Sequence, residues 1–203
     1  MGIYDRWVLP RLIDLAMRNQ LVRRYRAQVV PQAHGRVLEI GIGSGLNLPF
    51  YGARVQRLYG LDPSVILLGM TRKRSRGARC PVELFERGAE AIPLDDGSVD
   101  CVVTTFTLCS VADPLQALRE MRRVLRPGGM LLFAEHGLAP EHNVQRWQRR
   151  LTPGWRRLAG GCHLDRKMDM LIARAGFAID EIVTEYARGP RLMAYMYAGR
   201  ARR

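Results

Sequence analysis

The segment Val37-Leu38-Glu39-Ile40-Gly41-Ile42-Gly43-Ser44-Gly45 constrains this chain more than any other. It reads as a short strand that runs into a glycine turn and then into a helix. Glycines at such a turn permit positive φ and let the backbone approach a ligand with no Cβ between them, and a helix N-terminus favours a negative group. The theme then repeats. Short apolar runs at 37–40, 57–61, 82–85, 101–105 and 130–134 read as strands, and 44–52, 64–76 and 114–126 read as helices, the last with Asp113 as N-cap and Pro114 at the first helical position. Alternation of this kind builds a parallel sheet with right-handed crossovers. Two later runs, 177–183 and 191–197, are expected to close it as an antiparallel hairpin. The expected fold is α/β: a Rossmann-like, seven-stranded, mostly parallel sheet with helices on both faces and a C-terminal antiparallel hairpin.

The spacing also selects the ligand. Asp62 ends the second strand, where a carboxylate accepts from the ribose hydroxyls of an adenosine cofactor. A dinucleotide turn requires G-x-G-x-x-G, but Leu46 stands at the last of those positions, leaving G-x-G-x-G preceded by Glu39. An acid at that strand end repels a pyrophosphate and faces the ammonium of a methionine moiety. S-adenosylmethionine is therefore favoured over NAD, with S-adenosylhomocysteine as product.

Three further segments agree. Gly88-Ala89-Glu90-Ala91-Ile92-Pro93-Leu94 precedes an Asp- and Gly-containing turn and the fourth strand, and Leu125-Arg126-Pro127-Gly128-Gly129 precedes the fifth. Over residues 36–136 the set resembles the class I methyltransferases, in particular the branch that methylates quinones and sterols. The resemblance implies a cofactor site of Glu39, Gly41, Gly43, Gly45, Asn47, Asp62, Pro63, Ser64, Gly88, Ala89, Glu90, Thr105, Phe106 and Ser110. Many members carry an Asp immediately before the Ala-Glu pair; here that residue is Gly88, so adenine recognition falls to a backbone carbonyl or to Glu90.

Leu108-Cys109-Ser110-Val111, Glu135-His136, Trp155 and Gly161-Cys162-x-Leu164-x-Arg166 extend the likeness to most of the chain. With these the sequence is similar to the animal thiol S-methyltransferases and their bacterial relatives. That likeness implies methyl transfer to a small thiol, an acceptor pocket of Tyr4, Trp7, Cys109, His136, Trp155 and Cys162, and assistance from His136 and Arg166. Each residue also has a bland reading. Cys109 suits a core, His136 suits a loop anchor, Trp147 and Trp155 suit packing, and Arg146, Arg149, Arg150, Arg156 and Arg157 suit a solvated helix face.

The remaining chain frames this core. Residues 3–30 place Ile3, Trp7, Leu12, Leu15, Ala16, Leu21 and Val22 at helical spacing, with Pro10 expected to bend or divide the helix. Residues 143–159 read as a helix rich in Arg and Trp, and 165–175 as one capped by Asp165 and ended by Gly176. With 203 residues and 47% apolar side chains, one core is expected. The chain is read as a single domain: a helical cap at 1–34, a cofactor-binding core at 35–140, and acceptor-side helices and closing strands at 141–203. No run of about 18 apolar residues and no signal-peptide layout is present, so the expected compartment is the cytoplasm. Cys80, Cys101, Cys109 and Cys162 are scattered, with no zinc-type spacing, so reduced thiols and no metal are expected; His163 beside Cys162 reads as a surface loop.

The net charge of +13 is uneven: the basic excess is +4 in 1–34, +2 in 35–140 and +7 in 141–203. Charge-driven contacts therefore belong to the flanks, whose partner is an anionic membrane surface, an acidic substrate, nucleic acid, or nothing beyond compositional drift. Nucleic acid is disfavoured, because Thr105-Phe106-Thr107-Leu108 lacks the Asn-Pro-Pro-Tyr type segment that holds an exocyclic amine. Alternatives to thiol methylation are N-methylation of a phospholipid headgroup or C-methylation of a quinone at a membrane, and a non-enzymatic regulator that only binds the cofactor.

Overall fold

The computed structural model describes residues 4–203, so Ile3 lies outside the described residues. A π-helical turn, Tyr4–Val8, leads into α1 (Leu9–Ala16) and α2 (Gln20–Val29). The π turn gives way to α1 beside Pro10, which sits in the first turn of α1. A second break falls at Asn19, whose side chain accepts from the Val22 amide and caps α2.

Seven strands follow: β1 (Gly35–Ile40), β2 (Val55–Leu61), β3 (Val82–Phe85), β4 (Val99–Thr105), β5 (Leu125–His136), β6 (Ala178–Tyr186) and β7 (Tyr195–Arg202). Between them lie α3 (Val65–Arg74), α4 (Pro114–Val124), α5 (His142–Leu158) and α6 (Met168–Arg174). The order across the sheet is β3-β2-β1-β4-β5-β7-β6. The first five strands are parallel, and β7 is antiparallel to both β5 and β6, which bears out the closing hairpin. Strand order reverses between β1 and β4. Ligands of such sheets bind outside the carboxyl ends of the strands at this switch point.

The period-two alternation of the strands feeds two cores. Leu38, Ile40, Val102, Leu131 and Phe133 pack with Leu118 and Met121 of α4 and with Met168 and Ile172 of α6. Val37, Cys101, Val103, Leu132 and Ala134 pack on the other face with Tyr25 and Val29 of α2 and Leu68 of α3. Ser64 caps α3 through the Leu67 amide, and Asp113, as expected, caps α4 through the amides of Leu115 and Gln116.

Three expectations are corrected. Residues 44–52 form no α-helix: left-handed backbone at Gly43 and Gly45 (φ 56° and 80°) stops one from starting, and only a 3₁₀ turn at Leu48–Phe50 follows. The last strand begins at Tyr195 rather than near 191, because residues up to 193 form a turn in which Met193 N donates to Pro190 O. α6 starts at Met168 with no side-chain cap; Asp165 lies 3.5 Å from His163 instead.

Candidate active site

At the end of β1, Gly41, Gly43 and Gly45 all take positive φ. They differ in what surrounds them. A Cβ on Gly41 would fall inside the Thr107 side chain, and one on Gly45 would lie 2.9 Å from Leu48 Cδ1. One on Gly43 would meet nothing nearer than Gly41 O at 3.8 Å, so this glycine faces open space at the switch point.

Asp62, at the end of β2, holds the turn in place: Gly43 N donates to its Oδ2 at 3.0 Å and Ser64 N to its Oδ1 at 2.8 Å. Burial pushes its carboxyl up to about 6 despite those two bonds. Each oxygen keeps a second lone pair free to accept from a further donor. Asp62→Ala is therefore expected to weaken cofactor binding by about 1.5–3 kcal/mol, the range for hydrogen bonds to a charged group. Calorimetric affinity within about twofold of the parent would remove Asp62 from the site.

Beneath the turn, Glu39 is 2% exposed and accepts from Asn47 Nδ2 at 2.9 Å and from Tyr51 Oη at 2.7 Å. Burial pushes its carboxyl up to about 8. Asn47 also donates to Thr105 Oγ1 at 3.0 Å, while its own carbonyl oxygen Oδ1 is buried with no partner. A buried acceptor without a donor is uncommon and marks where a bound group would donate.

Phe106, just past β4, is the one non-glycine residue with positive φ (55°) among the described residues. Glu135 over-determines that turn. Fully buried on β5, it accepts from Thr104 Oγ1 at 2.8 Å and from Thr107 N at 2.9 Å. The Thr107 side chain then abuts Gly41, so Glu135 couples the β4 end to the glycine turn. On the other side of that turn, buried Asp14 of α1 accepts from Ser44 Oγ at 2.5 Å and pairs with Arg18 and Arg74, while Arg74 also donates to Ser44 O. Sequence reading singled out none of Asp14, Tyr51, Arg74, Thr107 or the role of Glu135. A charged residue at an apolar position of a helix was the only available signal for Asp14.

Ala89 is buried, and Glu90 occupies the space a side chain at Gly88 would enter, its Oε2 lying 2.8 Å from such a Cβ. Its Oε1 accepts from Asp113 N at 3.2 Å. Pro63 and Ser64 lead directly from Asp62 into α3.

The segments that follow β5 and α5 are held together by α5. Its buried stripe is Val144, Gln148 and Thr152. Gln148 accepts from Ala139 N and donates to the carbonyls of Gly137 and Leu192, while Thr152 accepts from Leu164 N at 3.4 Å. These bonds fasten the segment after β5 and the segment after α5 to one helix. His163 N then donates to Cys109 O at 2.8 Å. The result brings Cys109, His136 and Cys162 together: their ligating atoms lie within 4.8 Å of one another, with His136 Nε2 3.2 Å from Cys162 Sγ. Cys109 Sγ in turn lies 3.5 Å from Ser110 Oγ. His136 Nδ1 is buried without a partner. Burial pushes the imidazole pKa down, but Cys162 and Glu135 outweigh it and the net shift is upward.

Arg166 Nη1 donates to the carbonyls of Leu108 (2.5 Å) and Val111 (2.7 Å), so it clamps the segment carrying Cys109 and Ser110. Tyr4, 41% exposed, donates to Leu158 O at the end of α5, and Trp7 is 49% exposed with Arg11 over its ring. Trp147 is exposed beside Arg150, and Trp155 is half-buried with its ring N–H buried and unpaired. Arg146, Arg149, Arg150, Arg156 and Arg157 are exposed, as a solvated face requires.

A glycine turn at the switch point, with an acid behind it and another at the end of β2, defines a Rossmann-like domain of the methyltransferase class. Residues 38–133 match a family model described as a methyltransferase domain. Thiol S-methyltransferase TMT1B of Rattus norvegicus is 36% identical over 160 residues, covering 76% of this chain and 64% of the relative. Phosphatidylethanolamine N-methyltransferase of Cereibacter sphaeroides is 33% identical over 135 residues, 66% of each chain. The crystal structure of a putative methyltransferase from Bacillus halodurans superposes with a TM-score of 0.70 at 16% identity, covering 90% of this chain and 98% of that one. The chain thus spans less than two thirds of the length of the thiol methyltransferase. It belongs to the class I S-adenosylmethionine-dependent methyltransferases, whose cofactor is S-adenosylmethionine.

Proposed function

We propose that this chain transfers the methyl group of S-adenosylmethionine to a small-molecule acceptor, and that the acceptor is an alkyl thiol. The observation that carries the acceptor class is the reach of the likeness. The methyltransferase model covers 38–133, whereas similarity to the rat thiol S-methyltransferase covers 76% of the chain and so takes in acceptor-side segments as well.

Two features fit the cofactor. The unpaired Asn47 Oδ1 above the Glu39 carboxylate suits an ammonium, and the open side of Gly43 is a cradle that a Cβ would fill. When bound, S-adenosylmethionine supplies an electrophilic methyl group on sulfur. Asp62 holds the ribose, Glu90 serves the adenine edge in place of the missing Asp at 88, and Ser44 keeps the turn against α1. Thr105, Phe106 and Ser110 line the mouth between cofactor and acceptor. The protein contributes chiefly alignment in a dry site, where effective molarities of about 10⁵ M or more are attainable. A free alkyl thiol has a pKa near 8.5, so roughly a tenth or less is thiolate at neutral pH. An imidazolium at His136, the form that Cys162 and Glu135 favour against burial, would raise that fraction, and Arg166 acts through Leu108 and Val111 as a positioning residue.

A second acceptor reading rests on the surface. Trp7, Val8, Leu12 and Leu15 on the N-terminal helical segment and Trp147, Leu151 and Leu158 on α5 are exposed, interleaved with Arg11 and the arginines of α5. Apolar side chains set among arginines suit contact with an anionic membrane and, with it, a lipid headgroup acceptor. No helix among the described residues is long and apolar enough to cross a membrane.

Turnover of a thiol, its alcohol isostere and its amine isostere separates these readings. Thiol turnover is expected to exceed the other two by at least about tenfold, or roughly 1.4 kcal/mol in barrier. Equal or faster methylation of an amine headgroup on anionic vesicles would move the assignment to lipid N-methylation. Tight cofactor binding without turnover of any thiol, lipid or quinone would leave a regulator.

A further inference from the structure

We infer that Cys109, His136 and Cys162 form a three-ligand zinc site whose open fourth position takes a thiolate. The fold, rather than sequence spacing, makes the site: Cys109 follows β4, His136 ends β5, and Cys162 follows α5. Their ligand atoms lie within 4.8 Å of one another, and the His136 Nε2 to Cys162 Sγ distance is 3.2 Å. A tetrahedral zinc ion with Zn–S near 2.3 Å and Zn–N near 2.0–2.1 Å holds such ligands about 3.3–3.8 Å apart, so only small adjustments close the site. Two thiols and one imidazole are the soft donor set that selects zinc, and three protein ligands with one open position is the arrangement of catalytic rather than structural zinc.

The supports are stiff. Arg166 clamps the carbonyls on either side of the Cys109–Ser110 pair, and His163 N binds Cys109 O. Left-handed backbone at Gly160 and Gly161 (φ 59° and 85°) turns the chain so that Cys162 faces His136, and a Cβ on Gly161 would come within 3.1 Å of Ser110 O. Cys109 is buried and Cys162 half-buried, so the pair is screened from solvent without being sealed. Binding exchanges the two thiol protons for the metal, which then supplies positive charge at the site. A thiol entering the fourth position loses its proton to solvent and becomes a zinc-bound thiolate beside Ser110, on the cofactor side. This last clause rests on the thiol acceptor proposed above; the three-ligand site does not.

Cobalt(II) titration of the reduced full-length chain tests the site without reference to activity. One equivalent is expected to bind with a near-ultraviolet sulfur-to-cobalt charge-transfer band and the visible intensity of a four-coordinate ion, and stoichiometric zinc is expected to displace it. Cys109→Ser, Cys162→Ser and His136→Ala should each lower metal affinity by more than the roughly 10–100-fold that loss of a ligand's hydrogen-bonding neighbour costs. Cys80→Ser and Cys101→Ser should leave it unchanged. Should a ligand variant fail to fold, alkylation of the parent replaces it: zinc is expected to protect Cys109 and Cys162 and leave Cys80 labelled. Failure to take up metal, unchanged affinity in folded ligand variants, or a Cys109–Cys162 disulfide that forms in preference to the complex under stoichiometric zinc would overturn the site. Addition of a small alkyl thiol should strengthen the charge-transfer band of the cobalt form. An unchanged spectrum in a metal-loaded chain that still methylates thiols would overturn the fourth-position assignment alone, whereas a strengthened band with no thiol turnover would count against the proposed acceptor instead.

Discussion

Gly43→Val is expected to leave the chain folded and to abolish S-adenosylmethionine binding. The backbone there is left-handed, at φ 56°, which costs a residue with a Cβ about 1–2 kcal/mol. That is a small part of the roughly 5–15 kcal/mol that separates folded from unfolded domains. No protein atom obstructs the new side chain, since the nearest to a Cβ is Gly41 O at 3.8 Å. The valine therefore projects into the space outside β1 and β4, where the cofactor is proposed to lie. Gly41→Val makes the contrast. Its Cβ would fall inside Thr107, which Glu135 holds by the backbone, so that variant is expected to lose the fold itself. Thermal melts and calorimetry on both separate the effects. The expected result for Gly43→Val is a modest drop in Tm with no detectable binding heat; a folded variant with parental affinity would place the cofactor away from this turn.

The same contrast explains why a glycine-rich turn is ambiguous in a sequence. Three glycines look alike on the page, yet two are glycine because protein packs against them and one faces open space. The strands were legible because their apolar runs alternate between two cores, Leu38 and Ile40 toward α4 and α6 and Val37 toward α2. The helix expected at 44–52 was not, because local apolar spacing at Leu46, Leu48 and Phe50 hides the left-handed φ at Gly43 and Gly45. The start of β7 was blurred for a related reason: apolar residues at 192–194 continue its pattern into the turn that follows Pro190.

Side-chain groupings were legible only where the partners sit at fixed local offsets. Glu39 and Asp62 end adjacent strands and follow from strand pairing, Glu39 lying opposite Gly60 in the register. Cys109 and Cys162 meet because His163 N and Arg166 hold the Cys109 segment while Gln148 and Thr152 tie the segments beside His136 and Cys162 to α5, a polar stripe on a helix that reads as a packing face. Arg166 reads as a cation for chemistry, but carbonyls at 108 and 111 use its donors. Asp14 is buried because Ser44 and Arg74 come to it from outside its own helix.

Glu39→Gln is expected to shift stability and cofactor affinity in opposite directions. Burial is the main influence on this carboxyl and raises it from 4.5 to about 8, against the lowering of Tyr51, Asn47 and Arg26. An unfolded chain ionises it near 4.5, so between pH 4.5 and 8 the unfolded state has lost a proton that the folded state retains. Folding stability from this group is therefore full below pH 4.5 and is lost as pH rises toward 8. Glutamine never ionises, and Asn47 can turn its carbonyl toward the new amide. The cofactor-free variant should thus be more stable than the parent near pH 8, by up to about 5 kcal/mol. Cofactor binding runs the other way. An ammonium beside Asn47 Oδ1 stabilises the Glu39 anion, so affinity should rise with pH through this range and binding should release a fraction of a proton. The variant should show no such release from this site and bind at least about tenfold more weakly, roughly 1.4 kcal/mol. Calorimetry in two buffers of different ionisation enthalpy reads the proton directly, and melts across pH 5–8 read the stability. Equal proton release in parent and variant, or equal affinity, would place the ammonium elsewhere than over Glu39.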